Sequence, residues 1–597
     1  MDKKNTVIGV VLLIAAMASF YFSARLAPTP APIRQVEAPA STSTVSAPAG
    51  TAPASTATTG AISPSSTASQ TPAEYVTLAN DFIEVKFTNH GGAIDTIGLK
   101  KHLAVQGQPG LYTLNAQQAA PALSFRDFPG ADRATAYSLV SKTDTSVVYR
   151  AVTEQVEITR TYSIAKAPNR DDYQVRHETT FRNLTDKPVV LPRAVVNLGT
   201  ALPLNDADYG LYLNVGYFDG EDFEHTERSA LEGGGFFSTF GIGNKFDLPY
   251  IDRSAPMQWV SVKNQFFTMI YTPDQPGNAL RIERVKIPSP LPGDDRRAYG
   301  VTGYATYDLT PLAAGATTTF AGDYFAGPKE YKRLSNDAVF KLKQYEVMQF
   351  SSGFGSIFLS GIFAPLLLTI MTWVHSMIPN WGWAIVITTL ILKIVFLPLT
   401  IAASRSAKRM AKLQPQMTAM REKYKDNPQK IQTETLRLFK ENKVNPVGGC
   451  IPILITIPFF IGFFTMLQSA SDLRFASFLW VYDLSAPDTI ARIWGFPLNI
   501  MPLLMGATMI IQMRLTPTPT VDNAQATMMK IMPWIFTIFC YNFAAGLALY
   551  STINGLFTIG QQIVINRMPE PELPTATGTT VAPGKSPMKN VTPKKKK

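Results

Sequence analysis

Between Trp383 and Ile401 the chain reads WAIVITTLILKIVFLPLTI, apolar for a bilayer-crossing length except at Lys393, near its middle. Lys393 lies about 12–15 Å of helix rise from either end of that run. In hydrocarbon every backbone donor and acceptor must be satisfied within the element, so the run is predicted to be a helix. A lysine at the centre of a spanning helix costs roughly 2.5–3.5 kcal/mol, and such a residue faces a water-filled cavity or a partner charge rather than lipid. The other membrane-length runs contain no Asp or Glu to pair with it. Snorkelling to a surface is a long reach from mid-span, so a hydrated cavity is the expectation.

Four further runs, 448–468, 494–513, 529–545 and 547–565, reach membrane length, the last two forming a tight hairpin around Asn542 to Gly546. The stretch Ile357 to Ile378 differs. Hydroxyls at Ser352, Ser356, Ser360, Thr369, Thr372 and Ser376 lie mostly on one helical face, with Pro365 inside, the pattern of a helix lying flat in the interface. Charge agrees with that count. Loop 402–447 carries Arg405, Lys408, Arg409, Lys412, Arg421, Lys423, Lys425, Lys430, Arg437, Lys440 and Lys443 against Glu422, Asp426, Glu434 and Glu441, which places it in the cytoplasm. Loop 469–493 is poorly basic and falls outside, and Trp381, Trp383, Trp480 and Trp494 then sit at the outer interface.

The average composition, 46% hydrophobic and 17% charged over 597 residues, conceals a mosaic. Lys3 and Lys4 precede an apolar run to Phe22, and Arg25 and Pro28 spoil a cleavage pattern at Ala27, so 1–26 is predicted to be an uncleaved anchor starting inside. Residues 27–74 are Pro, Ala, Ser and Thr, a disordered linker. From 75 to 335 the period is two: Ile83, Val85 and Phe87 alternate with Glu84, Lys86 and Thr88, and Val156, Ile158, Tyr162 and Ile164 follow the same rule. That region, without cysteine, is predicted to be a large antiparallel β-sandwich on the periplasmic side, held by core packing. Residues 336–380 form the interfacial helix region, 381–567 the five-helix core, and 568–597 a basic cytoplasmic tail. The fold class is thus a polytopic α-helical membrane protein, one anchor plus five core helices, with an all-β periplasmic domain.

Within loop 402–447, Met410, Leu413, Met417, Met420 and Tyr424 repeat at three and four, and a second helix opens at Asp426-Asn427-Pro428. The two apolar stripes can pack on each other, or form an adaptable Met-rich surface for apolar segments. Thr389 and Lys393 share a helix face, and Tyr550, Asn554, Thr558 and Gln561 make a second polar stripe. Polar stripes often join helices, but beside an unpaired Lys393 these point to a shared wet groove. Gly578 and Gly584-Lys585-Ser586 imitate a phosphate loop, with five residues between the glycines instead of four and no strand before them. His90, His102, His177, His225 and His375 have no ligand spacing, and neither Cys450 nor Cys540 has a nearby partner, so no metal or cofactor is expected.

The segments NWGWAIVITTLILKIVFLPLT, VNPVGGCIPILITIPFFIGFF and YDLSA, with the basic hairpin between the first two, resemble the YidC/Oxa/Alb family of membrane-protein insertases from about 340 to 567. The anchor and long β region resemble its Gram-negative form, for which the resemblance implies a mutarotase-like supersandwich. It also implies a positively charged groove open to cytoplasm and lipid and closed outside. Lys393 stands where the family usually has Arg, which keeps the charge and loses the bidentate fork. By position Thr389, Ile457, Phe460 and Tyr550 match groove or substrate-contact positions, and Ser551 stands where relatives can have a second Tyr.

The function this implies is insertion and chaperoning of inner-membrane proteins without enzymatic chemistry, alone or with the Sec translocon. The implied partners are nascent membrane proteins, membrane lipid, and the ribosome through the basic hairpin and tail. An ion-coupled transporter is weakened by the lack of an acidic residue within the spans. A membrane-tethered carbohydrate enzyme rests on the β fold alone.

Overall fold

The structure, a computed structural model, describes residues 60–61, 72–204, 208, 210, 212–233, 247–288, 299–351, 354–425, 427–442, 451–494, 496–516 and 523–568. The anchor 1–26 and the tail from 569 lie outside them, as does most of the linker. Within that linker Gly60–Ala61 pairs in parallel with Val189–Val190, a short ordered contact that its composition does not announce. The described chain divides into two compact units, one running up to Ala384 with Ile461–Asp488 added, the other made of Ile385–Phe460 and the residues from Thr489 onward.

The first unit is dominated by antiparallel sheet. Its largest sheet has nine strands, ordered Phe223–Glu227, Asn214–Phe218, Trp259–Lys263, Phe267–Pro273, Thr317–Pro328, Gln174–Asn183, Val156–Ser163, Ser146–Val152 and Ser138–Lys142. Two four-stranded antiparallel sheets accompany it, one led by Ala194–Ala201 and one by Tyr75–Ala79. Alternation built these strands: Ile83, Val85 and Phe87, and Val156, Ile158 and Tyr162, are fully buried. Thr88 departs from the pattern and is buried as well. Arg160 also falls on an inward position and is completely buried. Its guanidinium donates to Gly91 O at 2.7 Å and to Leu123 O, contacts His177 Nε2, and lies 4.7 Å from the Phe125 ring. His177 is held well below the usual histidine range by burial, then by Arg160 and Arg176, so it is a neutral part of the core.

Residues beyond the β strands complete this unit. Arg474 Nη1 donates to Leu103 O at 2.7 Å and Nη2 to Ala104 O at 3.0 Å, while Gln106 Nε2 donates to Tyr482 O at 2.6 Å. Ser471 Oγ donates to Lys329 O at 3.2 Å, so loop 470–488 is fastened to the β region. Helix α1 (Ser360–Met377) buries Ala364, Leu367, Leu368, Met371 and Val374 on one side. The hydroxyls of Thr369, Thr372 and Ser376 bond to carbonyls of their own helix, and Ser360 is buried against Phe350 O. The polar face read from the sequence is therefore less polar than a count of hydroxyls suggests.

In the helical part, α2 (Trp381–Lys412) runs unbroken through Pro398 into the basic segment, so the loop expected from 402 begins as helix. It is followed by α3 (Gln414–Lys423) and α4 (Pro428–Glu441), whose start is capped by Asn427 accepting from Lys430 N. Then come α5 (Ile451–Ser469), α6 (Ile500–Leu515), α7 (Asn523–Phe539) and α8 (Ala545–Arg567). The span expected at 494–513 starts later, because Phe496–Asn499 pairs as a strand with Thr489–Ile493. Small residues bring helices together: a Cβ on Gly506 would overlap Thr537 of α7, and one on Gly555 would meet Thr508 Oγ1 of α6 at 2.7 Å.

Candidate functional site

Helical periodicity on α2 places Thr389, Leu392, Lys393, Phe396 and Thr400 on one stripe. They line a cavity completed by Thr456 and Phe459 of α5 and by Tyr550 and Asn554 of α8. Lys393 Nζ donates to Thr558 Oγ1 at 2.9 Å, and that hydroxyl donates in turn to Asn554 O at 2.7 Å. The one described partner of this ammonium is thus a neutral hydroxyl whose own hydrogen is already committed. Thr389, 1% exposed, donates to Ile385 O, and Gln561 Nε2 donates to Thr400 Oγ1 at 3.0 Å. The walls are mixed: hydroxyls and an amide on one side, and the Phe396 and Phe459 rings, 5.0 Å apart, on the other.

The structure brings together four of the residues singled out from sequence, Lys393, Thr389, Tyr550 and Asn554. Ile457 and Phe460 stand off this lining, and Phe460 packs on Phe536 of α7 at 5.6 Å. Thr456 and Phe459 take their place because the face of α5 toward α2 is set one position earlier than the motif alignment implies. Leu392, Phe396 and Thr400 were missed, though steps of three and seven from Lys393 and Thr389 would have found them. Ser551 is half-buried, and its enclosed hydroxyl has no hydrogen-bond partner among the described residues.

In the basic hairpin, Met410, Leu413 and Met417 are buried with Phe439, and Leu438 packs against them. Met420 is half-buried. The methionine stripe therefore mainly closes the hairpin on itself, and what faces outward is cationic: Lys412, Lys423, Lys430, Arg437 and Lys440 are exposed. Lys408 Nζ donates to Ile565 O at 2.7 Å, a cation at the C-terminal end of α8.

Apolar helices that close around a cation, with a large antiparallel β region in the same chain, define a helical membrane protein bearing a water-side β-domain. Residues 373–572 match the family model described as 60Kd inner membrane protein, and 75–352 match that of the YidC periplasmic domain. The membrane protein insertase YidC of Burkholderia multivorans is 31% identical over 599 residues, covering 95% of this chain and 98% of the relative. That of Cupriavidus necator is 30% identical over 523 residues, 84% of each. A crystal structure of an active YidC insertase with its first transmembrane domain resolved is 18% identical, covers 81% of this chain and 91% of that one, and has a TM-score of 0.32. The chain belongs to the YidC family of membrane protein insertases. As such it is an inner-membrane protein with a periplasmic domain that acts on nascent membrane proteins and is not an enzyme.

Proposed function

We propose that insertion proceeds through the cavity around Lys393. Its ammonium attracts acidic residues in the translocated segment of a substrate, and the polar wall of Thr389, Asn554 and Tyr550 shortens the apolar distance that segment must cross. The substrate's own apolar helix then moves into lipid, where burial worth about 25 cal/mol per Å² drives the step. The observation that carries this reading is a lysine in an apolar helix whose described partner is a neutral hydroxyl, leaving its charge available.

In this reading 1–26 anchors the chain with its N-terminus inside, five helices of the 381–567 region span, and α1 lies flat on the outer surface. Cysteines at exposed Ser356 and Ser376, one near each end of α1, should then both label with an impermeant reagent from outside. The exposed cations of the hairpin and the Lys-rich tail meet ribosomal RNA or anionic lipid, and the Sec translocon shares some substrates. The direct test is photocrosslinking of a stalled nascent chain. Probes at Phe396 and Asn554 should capture it, and a probe at Ile394, 61% exposed on the same helix as Lys393, should capture lipid. Equal nascent-chain capture at all three would remove the cavity as the route.

A further inference from the structure

Between the first unit and α6 the chain forms a small β-hairpin that the insertion mechanism leaves unused. Thr489–Ile493 and Phe496–Asn499 pair antiparallel, with every residue of the first strand exposed. Its apolar side chains are unusually open: Ile490 and Ile493 are each 51% exposed, Phe496 66%, and Trp494 at the turn fully so. A soluble surface does not ordinarily display an isoleucine, tryptophan and phenylalanine cluster at the tip of a hairpin.

The base, by contrast, is rigid. Asn499 is fully buried, and its Nδ2 donates to Tyr541 O at 2.8 Å and to Asn542 Oδ1 at 3.3 Å. Thr489 Oγ1 donates to Asn499 Oδ1 at 2.7 Å, and Tyr541 OH donates to Pro497 O at 2.7 Å. The Phe496 and Tyr541 rings lie 5.6 Å apart. The hairpin is thus bolted to the turn between α7 and α8 and continues directly into α6, whose Leu503, Leu504 and Ile511 are also exposed. From 489 to 499 the sequence TIARIWGFPLN has no acidic residue, and its one charge, Arg492, is exposed and suited to lipid phosphate.

We infer that the 489–499 hairpin is a non-helical membrane anchor, seated in the headgroup and upper acyl region of the outer leaflet with Trp494 deepest. Exposed apolar side chains stand on the hairpin and again on α6 on either side of the buried base, the aromatic and arginine chemistry is that of the interface, and the clamp at Asn499 fixes the depth of the α7–α8 turn. The inference rests on the proposed membrane placement of α6 to α8.

The test uses the full chain in sealed proteoliposomes, with Cys450 and Cys540 replaced by Ala and a fluorophore on Trp494→Cys. Nitroxide-labelled lipid carrying its spin label near the headgroup should quench this label several-fold more than aqueous iodide does. A label on Ser141→Cys, exposed on an edge strand of the β region, should show the reverse. Iodide quenching at 494 equal to that at 141, or protection from both quenchers, would overturn the lipid assignment. A label on exposed Lys430→Cys reports sidedness. In vesicles reconstituted with a biased orientation, dithionite added outside should bleach unequal fractions of the 494 and 430 labels that sum to one, and equal fractions would overturn the outer-leaflet placement and the span count even where lipid quenching persists.

Discussion

Two lysines lie side by side inside the β region, Lys263 2% exposed and Lys329 1% exposed. Burial, then the charge and hydrogen bond of Lys329, holds Lys263 well below the usual lysine range, and burial brings Lys329 down to about 7. Lys263 Nζ also donates to Gln349 Oε1. Unfolded, Lys329 returns to 10.5, so between pH 7 and 10.5 this side chain holds more proton in the unfolded chain than in the folded one and its contribution to stability rises with pH. Below pH 7 Lys329 is protonated in both states and its penalty is fully present; above 10.5 it is neutral in both and the penalty is gone. The gap corresponds to roughly 5 kcal/mol. Lys329→Met keeps the aliphatic bulk and loses a hydrogen bond worth about 1 kcal/mol. The variant should therefore be more stable at pH 7 by about 2–4 kcal/mol, a rise in Tm of roughly 4–15 °C. Thermal unfolding of the full chain in detergent, followed by the β signal in circular dichroism, measures it. His225, brought down to about 4 by burial and by Lys263, titrates outside the window. The advantage of the variant should shrink from pH 7 to 10.5, and an advantage constant across that range would refute the burial penalty on Lys329.

The helix contacts and the periplasmic fastening make two further predictions. Gly555→Val should lower the melting temperature through a cost of about 1–3 kcal/mol, because its side chain would run into Thr508. Gly560→Ala, with nothing within 4 Å of the added carbon, should change little in the same melt. Arg474→Gln should leave the carbonyls of Leu103 and Ala104 without their guanidinium donors and speed amide exchange across 103–106 about tenfold, read by mass spectrometry.

Much of this architecture is legible in sequence because its causes are local. A period of two at Ile83, Val85 and Phe87 places three side chains in one core, and an apolar run from 383 to 401 has no folded alternative to a helix. Arg160 was invisible because alternation says where a side chain points, not which distant carbonyls will satisfy it; Gly91 and Leu123 lie far away in sequence. The 489–499 hairpin was absorbed into a span because Trp494 to Asn499 reads as apolar, and hydropathy does not register strand pairing with Thr489 to Ile493. At the site, the residues of α2 and α8 follow from helical period about Lys393, whereas the choice of Thr456 and Phe459 over Ile457 and Phe460 depends on the rotation of α5. Rotation is a tertiary property that a motif does not encode.

The central claim is that the sign of the charge at 393 drives insertion. An acidic side chain about 8 Å from Lys393 gains about 2 kcal/mol at an effective dielectric near 20, and a carboxylate at 393 turns the same sum into repulsion. The decisive measurement is protease protection of a single-span substrate with an acidic translocated tail, in cells depleted of the native insertase and supplied with variants. Lys393→Arg should insert it as the native chain does, and Lys393→Glu should fail while still inserting a substrate whose tail is neutral. Equal insertion of the acidic tail by Lys393→Glu and the native chain would contradict the account.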